Sequence, residues 1–590
     1  MEYALSGGTA TDFYKPGHGK LYPFGTTRKY SNFTPRSAKN FLASKSCSSM
    51  YDNKVVNFGL YGTWQELVEL WDRTFFNVSK KKAIKAIKRR FDNACGLDVI
   101  SVDQIAALHD IGFLPLTVLA IEEGARVNIG VPLWTVFNSE EYPDQYWLVN
   151  YLETITSAYN WKSICNATIA FEYRRICEKW AALTCDNKDH VKFQCHDFSF
   201  RGMSGPEDAM RSGAAHLTSF VGTDTIPAID YLEKHYNANS DLELLGASVT
   251  ATEHAVATAN ILTRLRAKLD MIAAEGKSIS HETIDELKTE CEREYILEII
   301  LEKVKTGIIS LVCDSFDFWA IISKVLPSIR KEIESRIKNE LGLAKVVVRP
   351  DSGNPVLVIC GYRIAGEHAD LAAFDAYLHN NGTVDGLDGE VVKVGDNWHV
   401  IRNRFASGFV EATDYLGEII TEAEVRGAVE SLWGSFGGTV NAKGYKVLNE
   451  YIGLIYGDSI TVHRCEEIFE RLEAKGFASS NIVLGVGSFT YQYSTRDTFG
   501  MAMKATACEV MNQLIELYKD PKTASSKKSA KGFLRVVKEG DNYVTQQEVD
   551  MNWGDLENGS GELKPLWKNG TFKRHVSIAS VRNKLDAEFA

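Results

Sequence analysis

The sequence predicts an α/β protein in which a β/α-barrel-like domain over residues 191–496 is joined to a second α/β domain built from both chain ends, 1–190 and 497–590. Three observations predict it: short apolar, β-branched runs stop abruptly at polar clusters, helical stretches lie between these runs, and the two flanks differ in texture from the middle. Apolar runs without alternation are strands buried on both faces, and strands alternating with helices make a parallel sheet.

In chain order, 1–190 mixes aromatic, glycine-punctuated segments with helices, as in Phe58-Gly59-Leu60-Tyr61-Gly62 followed by Trp64-Gln65-Glu66-Leu67-Val68-Glu69-Leu70-Trp71. Lys80 to Arg90 is the densest positive patch, but Ile84, Ile87 and Phe91 fall at helical spacing and leave the bases on the opposite face. That pattern is a solvated helix surface rather than a nucleic-acid site.

The middle then supplies the strand runs. They are Phe193-Gln194-Cys195 before His196-Asp197, Ser219-Phe220-Val221 before Gly222-Thr223-Asp224, and Ile308-Ile309-Ser310-Leu311-Val312-Cys313 before Asp314. Next come Lys345-Val346-Val347-Val348 before Arg349-Pro350-Asp351-Ser352-Gly353, Ile452-Gly453-Leu454-Ile455-Tyr456 before Gly457-Asp458, and Ile482-Val483-Leu484 before Gly485-Val486-Gly487-Ser488. Helical stretches at 255–272, 318–341 and 463–475 separate them. Polar clusters at successive strand ends meet at the carboxyl edge, where barrels and open α/β sheets keep their active sites.

Two segments read as insertions. The first, about 267–305, is a Lys/Glu-rich helical pair broken at Gly276-Lys277-Ser278; the second, about 361–445, has Gly/Asp-rich turns and strand-like Glu390-Val391-Val392-Lys393-Val394. Neither carries an obvious catalytic cluster. The last part, 497–590, mixes strands with turns such as Gly540-Asp541-Asn542 and Asn569-Gly570.

Composition narrows the function classes. With 590 residues, 45% hydrophobic, 24% charged and only 13 prolines, the chain is globular rather than disordered or collagen-like. A net charge of −11, from 66 bases against 77 acids, gives no general attraction for nucleic acid or an anionic membrane, so an anionic substrate needs a local cluster of bases. The 11 cysteines include no C-x-x-C pair and several lie in apolar runs, which reads as buried thiols of a reducing compartment. No basic-then-apolar leader opens the chain and nowhere do 18 apolar residues run together, so a cytoplasmic protein with no membrane partner is expected.

Each candidate motif has a plain structural alternative. Arg349-Pro350-Asp351-Ser352-Gly353 reads equally as a guanidinium and a carboxylate aimed into a pocket or as a turn with a surface ion pair. Gly485-Val486-Gly487-Ser488 presents bare amides to a phosphate or, more commonly, makes a tight turn. His254, after Glu253 at a strand-to-helix junction, is by default a capping or core histidine, and gains weight because Asp314, Asp351 and Arg349 end other strands. Asp314-Ser315-Phe316-Asp317 is by default an N-cap with first-turn acids. Arg496, Lys504, Lys519, Lys527, Lys528 and Lys531 form a basic tract, either a mobile surface loop over 519–531 or a loop that closes on a polyphosphate.

Taken in order, the motifs are specific. Thr11-Asp12-Phe13-Tyr14-Lys15, His196-Asp197-Phe198-Ser199-Phe200-Arg201-Gly202, Gly222-Thr223-Asp224-Thr225, Glu253-His254, Asp314-Ser315-Phe316-Asp317, Arg349-Pro350-Asp351-Ser352-Gly353-Asn354-Pro355, Gly457-Asp458, Thr495-Arg496-Asp497 and Lys519-Asp520-Pro521 together resemble the nicotinamide phosphoribosyltransferases, type II phosphoribosyltransferases related to the nicotinate enzymes. The resemblance runs from about residue 9 to the C-terminus, the two insertions excepted.

It implies an irregular β/α barrel joined to an α/β domain, and a homodimer whose active sites draw on both subunits. The implied reaction converts nicotinamide and phosphoribosyl pyrophosphate to nicotinamide mononucleotide and pyrophosphate, with magnesium held mainly through substrate phosphates and ATP hydrolysed as co-substrate. By the same resemblance, Phe198 and Tyr14 of the partner subunit sandwich the pyridine ring, Asp224 and Ser310 bind the carboxamide with Arg349 nearby, and Asp12 belongs to the substrate-binding set. A carboxylate at Asp224 favours the amide over nicotinic acid. Asp351 and Gly457, with Asp458 beside them, hold the ribose, and Arg201, Gly487 and Ser488 the 5′-phosphate. Arg36, Arg496, Lys504, Lys519 and Lys527 surround the pyrophosphate or ATP phosphates. His254 is implied to be phosphorylated transiently, with Glu253 and Asp314 orienting the imidazole. The alternatives are a nicotinate phosphoribosyltransferase of the same fold and a catalytically weak regulatory homologue. Two departures from the family pattern stand out: its glycine-rich phosphate loop is here Gly485-Val486-Gly487-Ser488-Phe489, and its serine two residues before the phosphate lysine is here Ala502.

Overall fold

The computed structural model describes residues 5–381, 390–402, 411–457, 459–519, 530–547 and 550–590. The chain divides into two compact units, one comprising 175–198 and 247–489, the other 1–174, 199–246 and 490–590. The division falls inside the long helix Glu153–Thr184.

The first unit is organised by a curled, open parallel sheet. Its strands are β1 (Cys195–Asp197), β2 (Thr250–Ala251), β3 (Ile309–Val312), β4 (Val346–Arg349), β5 (Ile452–Tyr456) and β6 (Ile482–Val486). They lie in the order β1-β6-β5-β4-β3-β2, every pairing parallel. Sequential neighbours thus pair from β2 to β6, as in a β/α barrel; β2 ends the sheet on one side, and on the other the short strand Gly222–Thr223 follows β1 as its seventh member. All residues of β3 and β5 are buried, as their unbroken apolar runs require. Each such Val, Ile or Leu contributes about 1.5–3 kcal/mol on burial.

Helices follow the strands. His254–Ala274 buries Ala257, Ile261 and Leu265, one face at four-residue spacing. His281–Glu298 completes the first insertion as a helical pair, tied back by Arg264 to Glu298 and by Lys268 Nζ to Glu290 and Glu294 at 2.9 and 2.8 Å. Val462–Ala474 matches the expected third helix. The helical stretch expected over 318–341 is a succession of short helical segments from Phe318 that ends at Glu334. Pro327 lacks a backbone donor, and buried Arg336 holds the following segment by donating to the carbonyls of Ile300, Val304, Gly307 and Ala344.

The second insertion carries its own sheet, Ile364–His368, Val391–Val394, Asn397–Ile401 and Leu416–Ile420 in that order. Phe374, from the helix Leu371–Asn381, packs there with Val392, Val394, Ile401 and Tyr415.

The other unit is built on a seven-stranded sheet that interleaves the two chain ends, all pairings antiparallel. Its longest strands, Thr26–Pro35 and Met501–Val510, pair from Thr26 with Val510 to Pro35 with Met501. The basic helix Lys80–Cys95 buries Ala83, Ile87 and Phe91 and turns its bases outward, as expected. None of the 11 cysteines is in a disulfide, and Cys95 alone is exposed. Among the described residues no helix is long and apolar enough to cross a membrane.

Candidate active site

The carboxyl ends of β2, β3, β4 and β5 bring a charged cluster together. Glu253 caps the helix His254–Ala274 through its backbone, which sets His254 in the first turn beyond β2. Its Nδ1 lies 3.1 Å from Ser315 Oγ, just past β3. Its Nε2 lies 3.5 Å from Asp314 Oδ1 and 3.9 Å from Asp351 Oδ2, beyond an ordinary hydrogen bond, so two carboxylates face this nitrogen.

Asp314 uses its two oxygens differently. Oδ2 accepts from the Asp351 and Ser352 amides, both at 2.9 Å, and from Ser352 Oγ at 2.8 Å. Oδ1 is buried without a hydrogen bond and faces His254. One carboxylate therefore fixes the loop after β4 and supplies negative charge to the imidazole. Arg349, at the end of β4, donates from Nη2 to Thr252 O at 2.6 Å and holds Nε 3.8 Å from Asp351 Oδ1. Ser310 Oγ on β3 is buried with no hydrogen-bond partner, an acceptor and donor left for a ligand.

Glycines make room beside these groups. A Cβ on Gly457, after β5, would stand 2.3 Å from Asp351 Oδ1, and one on Gly485, in β6, would stand 2.7 Å from Phe198 Cδ2. Phe198 is half-buried, its amide donating to Val486 O at 2.9 Å and its ring 4.6 Å from that of His196. Gly487 has open space where a Cβ would be, and Ser488 begins a short helix.

Other expected residues lie in the unit built from the chain ends. Asp12 is exposed and accepts from Thr154 Oγ1 at 2.6 Å; Tyr14 is 61% exposed, its ring 5.4 Å from that of His18 and 5.2 Å from Lys15 Nζ. Arg201 and Asp224 are exposed, Asp224 directly after the strand Gly222–Thr223. Arg36 Nε donates to Gly500 O at 2.8 Å; Arg496 opens the turn Arg496–Thr498 immediately before it, and Lys504 projects, exposed, from the paired strand opposite Asn32. The structure thus brings Arg36, Arg496 and Lys504 to one region of this unit. Lys519 is exposed after the strand Gln513–Glu516. Asp458 and Lys527 lie outside the described residues.

Three contributors were not anticipated. Ser352 clamps Asp314, Ser315 holds His254, and Glu292, from the insertion expected to carry no catalytic cluster, is 2% exposed. Burial first, then the charges of Asp317 and Asp314, push the Glu292 carboxyl up to about 8. Its signal in the sequence was slight: Glu292 shares a helix face with Cys291, Tyr295 and Ile296. Among the described residues no group of three or more His, Cys, Asp or Glu is placed to hold a metal ion.

This strand-end cluster has relatives. The model of the nicotinate phosphoribosyltransferase (NAPRTase) family matches residues 193–553, which include β1 to β6. A nicotinamide phosphoribosyltransferase of Acinetobacter baylyi is 41% identical over 589 residues, 99% of this chain and 98% of its own. Enzymes of the same name from Mycoplasma pneumoniae and Xanthomonas campestris are 30% and 26% identical, covering 89% and 98% of this chain and 94% and 97% of theirs. A match that takes in every strand of the parallel sheet, and relatives alike from end to end, make the chain a member of the nicotinate phosphoribosyltransferase family.

Proposed function

We infer that the protein transfers the phosphoribosyl group of phosphoribosyl pyrophosphate to nicotinamide, making nicotinamide mononucleotide and pyrophosphate for NAD salvage. The observation that carries this reading is the end-to-end likeness to the Acinetobacter nicotinamide enzyme, at 41% identity. Displacement at the anomeric carbon develops positive charge on the sugar while pyrophosphate departs, so the site needs carboxylates near the ribose and cations near the phosphates. Asp351, whose loop amides Asp314 holds, would supply the first; by the family resemblance Arg36, Arg496, Lys504, Lys519 and Lys527 would supply the second. Phe198 would lie against the pyridine ring, with Tyr14 of the partner subunit on its other face in a homodimer. Ser310 Oγ, buried and without a partner, and Asp224 would take the carboxamide. Gly487, Ser488 and Arg201 would meet the 5′-phosphate.

His254 would accept a phosphoryl group from ATP. Its Nδ1 is engaged by Ser315, its Nε2 is open, and Asp314 Oδ1 stands 3.5 Å away to stabilise the ring as it becomes positive. Magnesium, bound mainly through substrate phosphates, would offset their charge.

The family's name leaves nicotinic acid as the competing substrate. Purified protein is incubated with phosphoribosyl pyrophosphate, magnesium, ATP and equimolar nicotinamide and nicotinic acid, and the products are separated. Nicotinamide mononucleotide should predominate; a predominance of nicotinic acid mononucleotide would overturn the amide assignment.

A further inference from the structure

Glu292 sits where a carboxylate ought to be costly. It lies on the helix His281–Glu298 and is 2% exposed. One turn earlier on the same face, Lys288 Nζ sits 5.5 Å above the Phe316 ring, so this face of the helix lies along the segment after β3 that carries Asp314 and Asp317. Asp317 Oδ1 in turn caps the next helix, accepting from Ala320 N at 2.9 Å.

The groups around Glu292 are acidic or neutral. The charges of Asp317 and Asp314, on the segment after β3, act on it, and its own charge acts on the Cys313 thiol and on Tyr295 of its own helix. The nearby cations are engaged elsewhere: Arg264 with Glu298, Lys268 with Glu290 and Glu294, Lys288 with Asp285, and Arg293 with Ser328, while Lys324 of the packed turn Ile321–Val325 is exposed. A third negative charge here would press on Asp314, whose Oδ2 holds the Asp351–Ser352 loop and whose Oδ1 faces His254.

We propose that Glu292 is a positioning residue for His254: the Asp314–His254 pair accepts a phosphoryl group only while the Glu292 carboxyl is neutral. The inference rests on the reading of His254 as the phosphorylated residue. In that step the Nε2 lone pair forms a bond to the γ-phosphorus as the bond to the ADP oxygen breaks. ADP leaves with the electron pair, and the ring, still carrying its Nδ1 proton beside Ser315, becomes positive against Asp314. With Glu292 ionised, the added negative charge repels the incoming γ-phosphate and pushes Asp314 from its place.

Burial and the two aspartates hold the Glu292 carboxyl neutral up to about pH 8, so the effect falls in an accessible range. The test measures acid-labile, base-stable phosphate on His254 against pH, in the full-length protein with ATP and magnesium. In the wild type it should fall roughly tenfold between pH 7 and pH 9, as the neutral fraction does. Glu292→Gln keeps the neutral shape and should change less than about twofold over that range. Asp317→Asn, which still caps its helix, removes a neighbouring charge and should move the wild-type fall to lower pH; it decides the matter if the Gln variant does not fold. Superimposable profiles for the wild type and the variants overturn the role of Glu292 alone. No phosphate on His254 at any pH overturns the coupling reading, and this role with it.

Discussion

Gly457→Ala separates substrate holding from folding at a single atom. The added Cβ would stand 2.3 Å from Asp351 Oδ1, 3.4 Å from its Cγ and 3.7 Å from Arg349 Cδ. Relief requires the carboxylate to move about 1 Å, since ordinary contact between such atoms begins near 3.4 Å. The Asp351 side chain is 35% exposed and can swing toward solvent, and Gly457 has no left-handed backbone to strain. Stability should therefore change by no more than about 0.5 kcal/mol, which moves Tm by only about 2 °C. If Asp351 holds the ribose as proposed, the displaced carboxylate no longer accepts a hydrogen bond from a ribose hydroxyl, which costs about 1.5–3 kcal/mol, or about 10- to 150-fold in kcat/KM for phosphoribosyl pyrophosphate. Steady-state kinetics with each substrate varied in turn, beside a thermal melt, measures both. The variant should act through Asp351, so adding it to Asp351→Ala should cost little more. An unchanged kcat/KM with an unchanged melt, or fully additive losses in the double variant, would refute the reasoning.

Asp314→Asn removes a charge 3.5 Å from His254 Nε2, an interaction of about 1–5 kcal/mol between water-like and surface dielectric values, while the amide oxygen still accepts from the loop. In the proposed coupling through His254, ATP hydrolysis should then drop by at least about tenfold with little change in the melt. Gly485→Ala meets Phe198 Cδ2 and Tyr456 O, each at 2.7 Å, and backbone cannot yield as a side chain can. It should cost about 1–3 kcal/mol of stability by denaturant titration and raise KM for nicotinamide. Lys29, 1% exposed with Nζ 4.0 Å over the Tyr22 ring, has its ammonium pushed down to about 7 by burial and then by Lys15. Between pH 7 and 10.5 the unfolded chain binds the extra proton, so stability should rise with pH across that window. Lys29→Met should flatten the rise and gain on the order of 4 kcal/mol below pH 7.

The parallel sheet was legible where burial on both faces writes itself as an unbroken apolar run, as in β3 and β5. It was illegible at β2, where Thr250 and Ala251 are exposed and only the junction at Glu253-His254 points to a strand. The apolar run Ser219-Phe220-Val221 precedes its strand: the strand is Gly222–Thr223, and Ser219 and Phe220 close the preceding helix, their amides donating to His216 O. In the site, Asp314, Arg349 and Asp351 stood out because each ends a strand. Ser352 did not, because its partner is 38 residues away and no local pattern records that bond. Glu292 was hidden by its surroundings: in a Lys/Glu-rich helix one more glutamate looks solvated, and only the tertiary packing shows that its neighbours Glu290, Glu294 and Glu298 take the cations.

The division of labour in Asp314 bears on how ATP use is joined to sugar binding in the proposed reaction. One oxygen carries three hydrogen bonds from the loop that presents Asp351; the other has none and faces the imidazole. When the His254 ring is neutral, Asp314 is drawn chiefly to the loop. A phosphoryl group on Nε2 would set anionic oxygens toward Asp314 Oδ1, and the carboxylate would then carry strain or motion to the Asp351 amide through a 2.9 Å hydrogen bond. Linkage makes the relation reciprocal: whatever phosphorylation does to the affinity of the Asp351 loop for the sugar, the sugar must do to the equilibrium of phosphorylation. No rearrangement of whole domains is needed for that coupling, because Asp314, Asp351, Ser352 and His254 all belong to the unit formed by 175–198 and 247–489.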